Sequence, residues 1–179
     1  MINLSAFGYE QKLKSPSKAF TKTFSNSSFI NGPAVKEFET AFAEYTNAED
    51  CVAVSSCTSA LQLSLLALSV GPGDEVITVP YTWVSTVEAI KQVGATPVFV
   101  DINASDLCID VGQVRNVITE RTKAIIPVDL YGTVSNIDAL KKFNVPIVQD
   151  AAQSTGAIYK GRRVGGLSHL TCFSFYPTK

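Results

Sequence analysis

Residues 75–101 read EVITVPYTWVSTVEAIKQVGATPVFVD. Two short apolar runs, EVITVP from Glu75 and PVFVD from Pro97, flank a helix-like stretch. That stretch starts near Trp83 and stops by Gly94, a residue suited to a helix C-terminus. Strand, helix and strand at this spacing make a β-α-β unit. The same beat runs through the chain. CVAVSS from Cys51, AIIPVD from Ala124, PIVQD from Pro146 and TCFSFY from Thr171 join the first two as expected strands, starting 22–27 residues apart. The runs are almost continuously apolar, as parallel strands covered on both faces are. The expected fold class is therefore α/β, a mostly parallel sheet flanked by helices.

The segments between the runs support this. TSALQLSLLALS (58–69) is apolar nearly all round and is expected to be largely buried. DVGQVRNVITE can start at an Asp110 cap and bury Val111, Val114, Val117 and Ile118. NIDALKKF gives a short helix from Asn136. Ahead of the first run, GPAVKEFETAFAEYT places Pro33 in a first helical turn, with Val35, Phe38, Phe42 and Tyr45 on one face. Residues 1–31, with the polar stretch SPSKAFTKTFSNSSF, are expected to form an arm. No repeat and no second domain is evident.

Composition narrows the function classes. Hydrophobic residues make up 46% of the 179, enough for a sizeable core. Charged residues reach only 17%, below the roughly 25% of typical soluble domains, which suggests extra buried surface such as a subunit interface. A net charge of −1 offers no footprint for nucleic acid. The nearest basic cluster, Lys160, Arg162 and Arg163, reads as a solvated turn. Cys51, Cys57, Cys108 and Cys172 form no C-x-x-C pair, and His169 is the only histidine, so no metal site is expected. Buried reduced thiols and a start without signal-peptide character point to a cytoplasmic protein. No run approaches the ~20 apolar residues of a membrane span.

Open parallel sheets bind ligands beyond the carboxyl ends of their strands. SSCTSALQL follows the first run. Hydroxyl residues where a strand enters a helix suit a phosphate, and equally suit an ordinary Ser/Thr cap. YTWVST follows the second and holds Trp83, the only tryptophan, either a core residue or a plate for a planar ring. VQDAAQ ends the fifth. Asp150 there is either a turn cap or a buried carboxylate needing a cation, and Gln153 lies three residues on. FSFYPTK ends the sixth, with Ser174 in the run and Lys179 after Pro177. Phosphate donors, an aromatic plate, a carboxylate and a lysine on one edge of one sheet match what pyridoxal 5'-phosphate (PLP) requires. Its aldehyde needs a lysine, its pyridine nitrogen a carboxylate, and its phosphate N–H and O–H donors.

The stretches GPAVKEFETAFAEY, SSCTSALQLSLLAL, GPGDEVITVPYTWVSTVEAI, GATPVFVDI, RTKAIIPVDLYG, VQDAAQSTGAIYKGRRVGG and CFSFYPTK resemble, in order and spacing, the DegT-type sugar aminotransferases of PLP fold type I. The resemblance covers residues 32–179, which it identifies with the large PLP-binding domain. That domain would be truncated here. The small C-terminal domain would lie outside this chain, and the chain would be the N-terminal part of a longer protein. A further strand from the missing part would pair between the first and sixth runs.

The resemblance implies a Schiff-base lysine at Lys179 and a pyridine-nitrogen partner at Asp150. It implies a ring-hydroxyl contact at Gln153 and a stacking residue at Trp83. Ser56, Cys57, Thr58 and Ser174 would cradle the phosphate. Ser56-Cys57-Thr58 stands where the family usually has Ser-Gly-Thr, and Asp129, where the family often has His, is assigned no role. The implied reaction moves an amino group from glutamate to a nucleotide-linked keto sugar, with a dTDP-linked 3-keto-6-deoxyhexose suggested by SFYPTK and a 4-keto sugar as the alternative. A homodimer sharing its active sites is also implied. Two other readings are a sugar dehydratase of the same family and an inactive cofactor-binding fragment or regulator.

Overall fold

The computed structural model describes residues 16–179. Its elements in chain order are α1 (Pro16–Ser25), α2 (Pro33–Thr46), α3 (Cys57–Ala67), β1 (Glu75–Thr78), α4 (Val84–Gln92), β2 (Thr96–Phe99), α5 (Val111–Val117), β3 (Thr122–Ile125), α6 (Ile137–Leu140), β4 (Val148–Asp150), β5 (Ile158–Tyr159), β6 (Arg162–Arg163) and β7 (Leu170–Cys172). Part of the expected arm is thus helical, as α1. Its first fifteen residues lie outside those described.

β2, β1 and β3 pair in parallel, as do β4 and β7. Parallel bridges Ile125–Ile147 and Val128–Asp150 join the two groups. The result is one parallel sheet in the order β2-β1-β3-β4-β7. Neighbouring residues within a strand feed opposite faces. Val76, Ala124 and Val148 pack with Leu61 and Leu65 of α3 and Ala89 and Ile90 of α4. Ile77, Ile125 and Ile147 pack with Val114 of α5 and Ile137 and Leu140 of α6. Both faces are covered, which is why the runs read as continuously apolar.

Five of the six expected strands form. The first does not: residues 51–55 pair with no described strand. Side chains meet two of its backbone donors instead, Asp50 at Cys51 N and Glu39 at Ala53 N, while Val52 is 74% exposed. β-propensity yields a strand only where a neighbouring edge accepts the ladder, and none of the described residues supplies one. The expectation that α3 is largely buried also needs correcting. Leu61 and Leu65 are fully buried, whereas Leu63 and Leu66 are half-exposed. One side of the helix packs on the sheet and the other is left open.

The caps follow the sequence. Pro33 opens α2, and the Asp110 and Asn136 side chains cap α5 and α6. α5 ends at Val117, short of the full predicted stretch, and only Val114 among its apolar residues is fully buried. Gly94 lies just past α4 with φ +82°, and a Cβ there would meet Pro72 Cγ at 2.9 Å. Lys160 and Arg162 sit on the exposed β5–β6 hairpin, both bonded to Asp138, and Arg163 covers the Tyr45 ring. Phe42 on α2 meets Phe173 and Phe175 edge-on at 5.0 and 5.2 Å, fastening the segment beyond β7 to that helix. Among the described residues no helix is long and apolar enough to cross a membrane, and no cluster of His, Cys, Asp or Glu could hold a metal.

Candidate active site

Asp150 is the last residue of β4, at the carboxyl edge of the sheet, and only 5% of it is exposed. Oδ2 accepts from the Thr86 hydroxyl at 2.8 Å and Oδ1 from the Ala152 N–H at 3.2 Å. Burial pushes its carboxyl up. The two hydrogen bonds and the positive charge of Lys179 pull it back. No described cationic side chain pairs with it directly. A carboxylate has about four acceptor sites, so Asp150 keeps capacity for a further donor. A cationic N–H placed there would offset the desolvation, and a protonated pyridine nitrogen is such a donor.

Ser56 is the N-cap of α3, its Oγ accepting from Ser59 N at 3.1 Å. The Ser56 backbone carbonyl takes the Ala60 N–H at 2.9 Å. The Cys57 and Thr58 N–H groups are thereby left without a bond to any described residue. As the first two positions of the helix they face its positive end, the part of the turn that suits an anion. Ser56 is the cap, and the N–H groups of the two residues after it stay open. Burial pushes the Cys57 thiol well up, with the negative charge of Asp150 adding to the effect and Lys179 opposing it.

Trp83 stands at the N-cap position of α4 and is 72% exposed, so it is a surface residue and not a core one. Gln153 Oε1 accepts from Tyr131 N at 2.9 Å. Its NH2 group is left to donate. Phe173 and Phe175 both turn toward α2, and Ser174 between them is half-buried. Its Oγ accepts from Tyr176 N at 3.3 Å and retains its own hydrogen. Lys179 is exposed, its backbone N bonded to Tyr176 O at 2.8 Å. Of the four thiols, all free, Cys108 and Cys172 are buried while Cys51 and Cys57 are only partly so.

Two features were not foreseen. Thr86, fully buried on α4, holds Asp150. Its position three residues after Trp83, on the same helical turn, was the available signal. Asp129, to which no role was assigned, is fully buried and accepts from Ser135 N at 3.0 Å, Gln149 Nε2 at 2.7 Å and Ser154 Oγ at 2.9 Å. Burial raises its carboxyl to about 6 against these hydrogen bonds. Asp129 ties the loop carrying Tyr131 to Ser154, the neighbour of Gln153.

Over residues 11–179 the chain matches the DegT/DnrJ/EryC1/StrS aminotransferase family. It is 46% identical over 155 residues to a UDP-2-acetamido-2-deoxy-3-oxo-D-glucuronate aminotransferase of Pseudomonas aeruginosa, across 84% of this chain and 43% of the relative. It is 42% identical over 175 residues to a dTDP-3-amino-3,4,6-trideoxy-alpha-D-glucose transaminase of Micromonospora megalomicea, across 96% of this chain and 47% of the relative. The structure of Spr1654 from Streptococcus pneumoniae in its PLP form superimposes with a TM-score of 0.86 at 37% identity, over 90% of this chain and 46% of that one. The chain spans just under half the length of the curated relatives it matches. Its parallel sheet and helices are those of PLP fold type I. The chain belongs to the DegT/DnrJ/EryC1/StrS aminotransferase family.

Proposed function

We propose that the protein containing this chain is a PLP-dependent aminotransferase acting on a nucleotide-linked keto sugar. The observation that carries this reading is Asp150: a buried carboxylate at the sheet's carboxyl edge, with acceptor capacity left and no ion-pair partner among the described residues. Family membership and the PLP form of a structural neighbour support the cofactor. PLP, when bound, supplies an aldehyde that holds the amino group and a ring that accepts electrons from the reacting carbon.

The chain's own residues do the rest. Asp150 would accept from the pyridine N–H and favour the charged form of that nitrogen, a contact worth about 1.5–3 kcal/mol. Gln153 donates to the ring oxygen. Trp83 covers one ring face. The Cys57 and Thr58 N–H groups, with the Thr58 and Ser174 hydroxyls, bind the phosphate, and Ser56 holds that helix start in shape. Lys179 would hold the cofactor through its Nζ and would supply the acid–base group that moves a proton at the reacting carbon.

For the substrate we infer a 3-keto sugar nucleotide, with a dTDP-linked 3-keto-6-deoxyhexose as the specific form and glutamate as amino donor. The names of the two relatives above both place the oxo or amino group at carbon 3, which supports that ring position. A homodimer with shared active sites accords with the open side of α3, where Leu63 and Leu66 are uncovered. Incubating the full-length protein and PLP with glutamate and a dTDP-3-keto-6-deoxyhexose tests the reading. Mass spectrometry should show the 3-amino sugar and 2-oxoglutarate in equal amounts. A product dehydrated without nitrogen gain, or amination of a 4-keto sugar alone, would overturn the respective part.

A further inference from the structure

We propose that Thr86 is a positioning residue for the cofactor site. Its hydroxyl locks the Asp150 carboxylate in the orientation that receives the pyridine nitrogen, and Thr82 in turn orders that hydroxyl. The proposal rests on the reading of Asp150 as the pyridine partner.

Three observations carry it. Thr86 is fully buried, so no bulk water substitutes for its hydroxyl. A threonine in a helix commonly turns its hydroxyl back to a carbonyl one turn earlier. Here Oγ1 reaches 64 residues along the chain to Asp150 Oδ2 at 2.8 Å. Finally, Thr86 Oγ1 lies 2.9 Å from Thr82 Oγ1. An ionised carboxylate only accepts, so Thr86 donates to Asp150 and its oxygen accepts from Thr82. The chain of hydroxyls therefore has one direction, from Thr82 through Thr86 to the carboxylate.

The other anchor of Asp150 is weaker, the Ala152 N–H at 3.2 Å on Oδ1. Without Thr86 the carboxylate keeps only that bond and is free to turn about its last torsion. Trp83 sits at the start of the same helical turn. One turn thus sets both the ring plate and the anchor of the ring-nitrogen partner, so the two stay in register.

The test is PLP affinity by equilibrium dialysis on the full-length protein, with the urea midpoint as control. Thr86→Val replaces the hydroxyl by a methyl of the same shape. It should weaken PLP binding about tenfold, in line with loss of a hydrogen bond to a charged group. Thr86→Ser should bind within about twofold of wild type, because the donor is restored. Thr82→Val should weaken binding about two- to threefold through the same hydroxyl. In an Asp150→Asn background, Thr86→Val should add less than about a twofold effect, since the two share one pathway. Wild-type affinity in Thr86→Val overturns the proposal, and so does failure of Thr86→Ser to restore binding. Full additivity with Asp150→Asn would overturn it as well. Should Thr86→Val not fold, Thr86→Ser and Thr82→Val decide: the proposal stands if both give the stated affinities and falls if either does not. Asp150→Asn binding PLP as tightly as wild type would remove the underlying assignment, a failure distinct from those of the Thr86 variants.

Discussion

Gln153 turns its amide oxygen to the backbone N–H of Tyr131 at 2.9 Å, across 22 residues of chain. The contact engages the oxygen end of the amide and leaves the NH2 end as a donor. Tyr131 has φ +56°, an uncommon value for a residue with a side chain, so the loop is held in place by its partners. Gln153→Glu would keep the acceptor for Tyr131 and remove the donor. PLP affinity is expected to fall about tenfold with an unchanged urea midpoint. Dialysis and denaturation on the same preparation check both halves.

Asp129 links stability to pH. Its carboxyl is raised by burial to about 6, above its ordinary 3.8. Folding therefore takes up a proton between those values. The contribution is fully present below about pH 4 and is lost as pH rises through about 6. The full span corresponds to about 3 kcal/mol at 1.36 kcal/mol per unit. Urea midpoints measured from pH 4 to 7 should show Asp129→Asn with the shallower gain on acidification. Identical slopes in wild type and variant would remove Asp129 as the cause.

Gly165 has φ +141°, and a Cβ there would meet Thr46 Cβ at 2.3 Å. Thr46 is itself buried at the end of α2. Overlap with the buried Thr46 and the left-handed φ both oppose a side chain, so Gly165→Ala should destabilise by about 2–3 kcal/mol, the range of overpacked sites. A urea midpoint shift of the matching size checks it. Gly161→Ala is the comparison for left-handed strain alone, since a Cβ there meets nothing within 4 Å.

Phe42 clamps the segment beyond β7 through Phe173 and Phe175. Phe42→Ala should loosen that segment and, with it, Ser174. PLP affinity is then expected to drop about three- to tenfold, although Phe42 touches no site residue; aromatic contacts of this kind are worth about 0.5–1.5 kcal/mol each. Proteolysis beyond Cys172 should speed up in parallel.

The β-α-β beat was legible because strand and helix periods and their spacing are local properties. The same holds for the caps at Asp110 and Asn136, where a side chain bonds a donor two or three residues away. The run at 51–55 misled because a strand is a relation with a neighbour, and an apolar run does not say whether one is present. Trp83, Asp150, Gln153 and Lys179 each have ordinary uses taken singly; they stood out as a set gathered at one edge of one sheet. Thr86 and Asp129 did not, since their roles depend on contacts 64 and about 20 residues away in sequence. Threonine on a helix and aspartate after a strand have too many ordinary uses to mark themselves.

Lys179 is the test of the central claim. Borohydride reduction of the PLP-loaded full-length protein, followed by peptide mapping, should place the phosphopyridoxyl label on Lys179. Lys179→Ala should carry none and lose the visible absorption of the bound cofactor. A label on another lysine, or a covalent cofactor that survives in Lys179→Ala, would contradict the account.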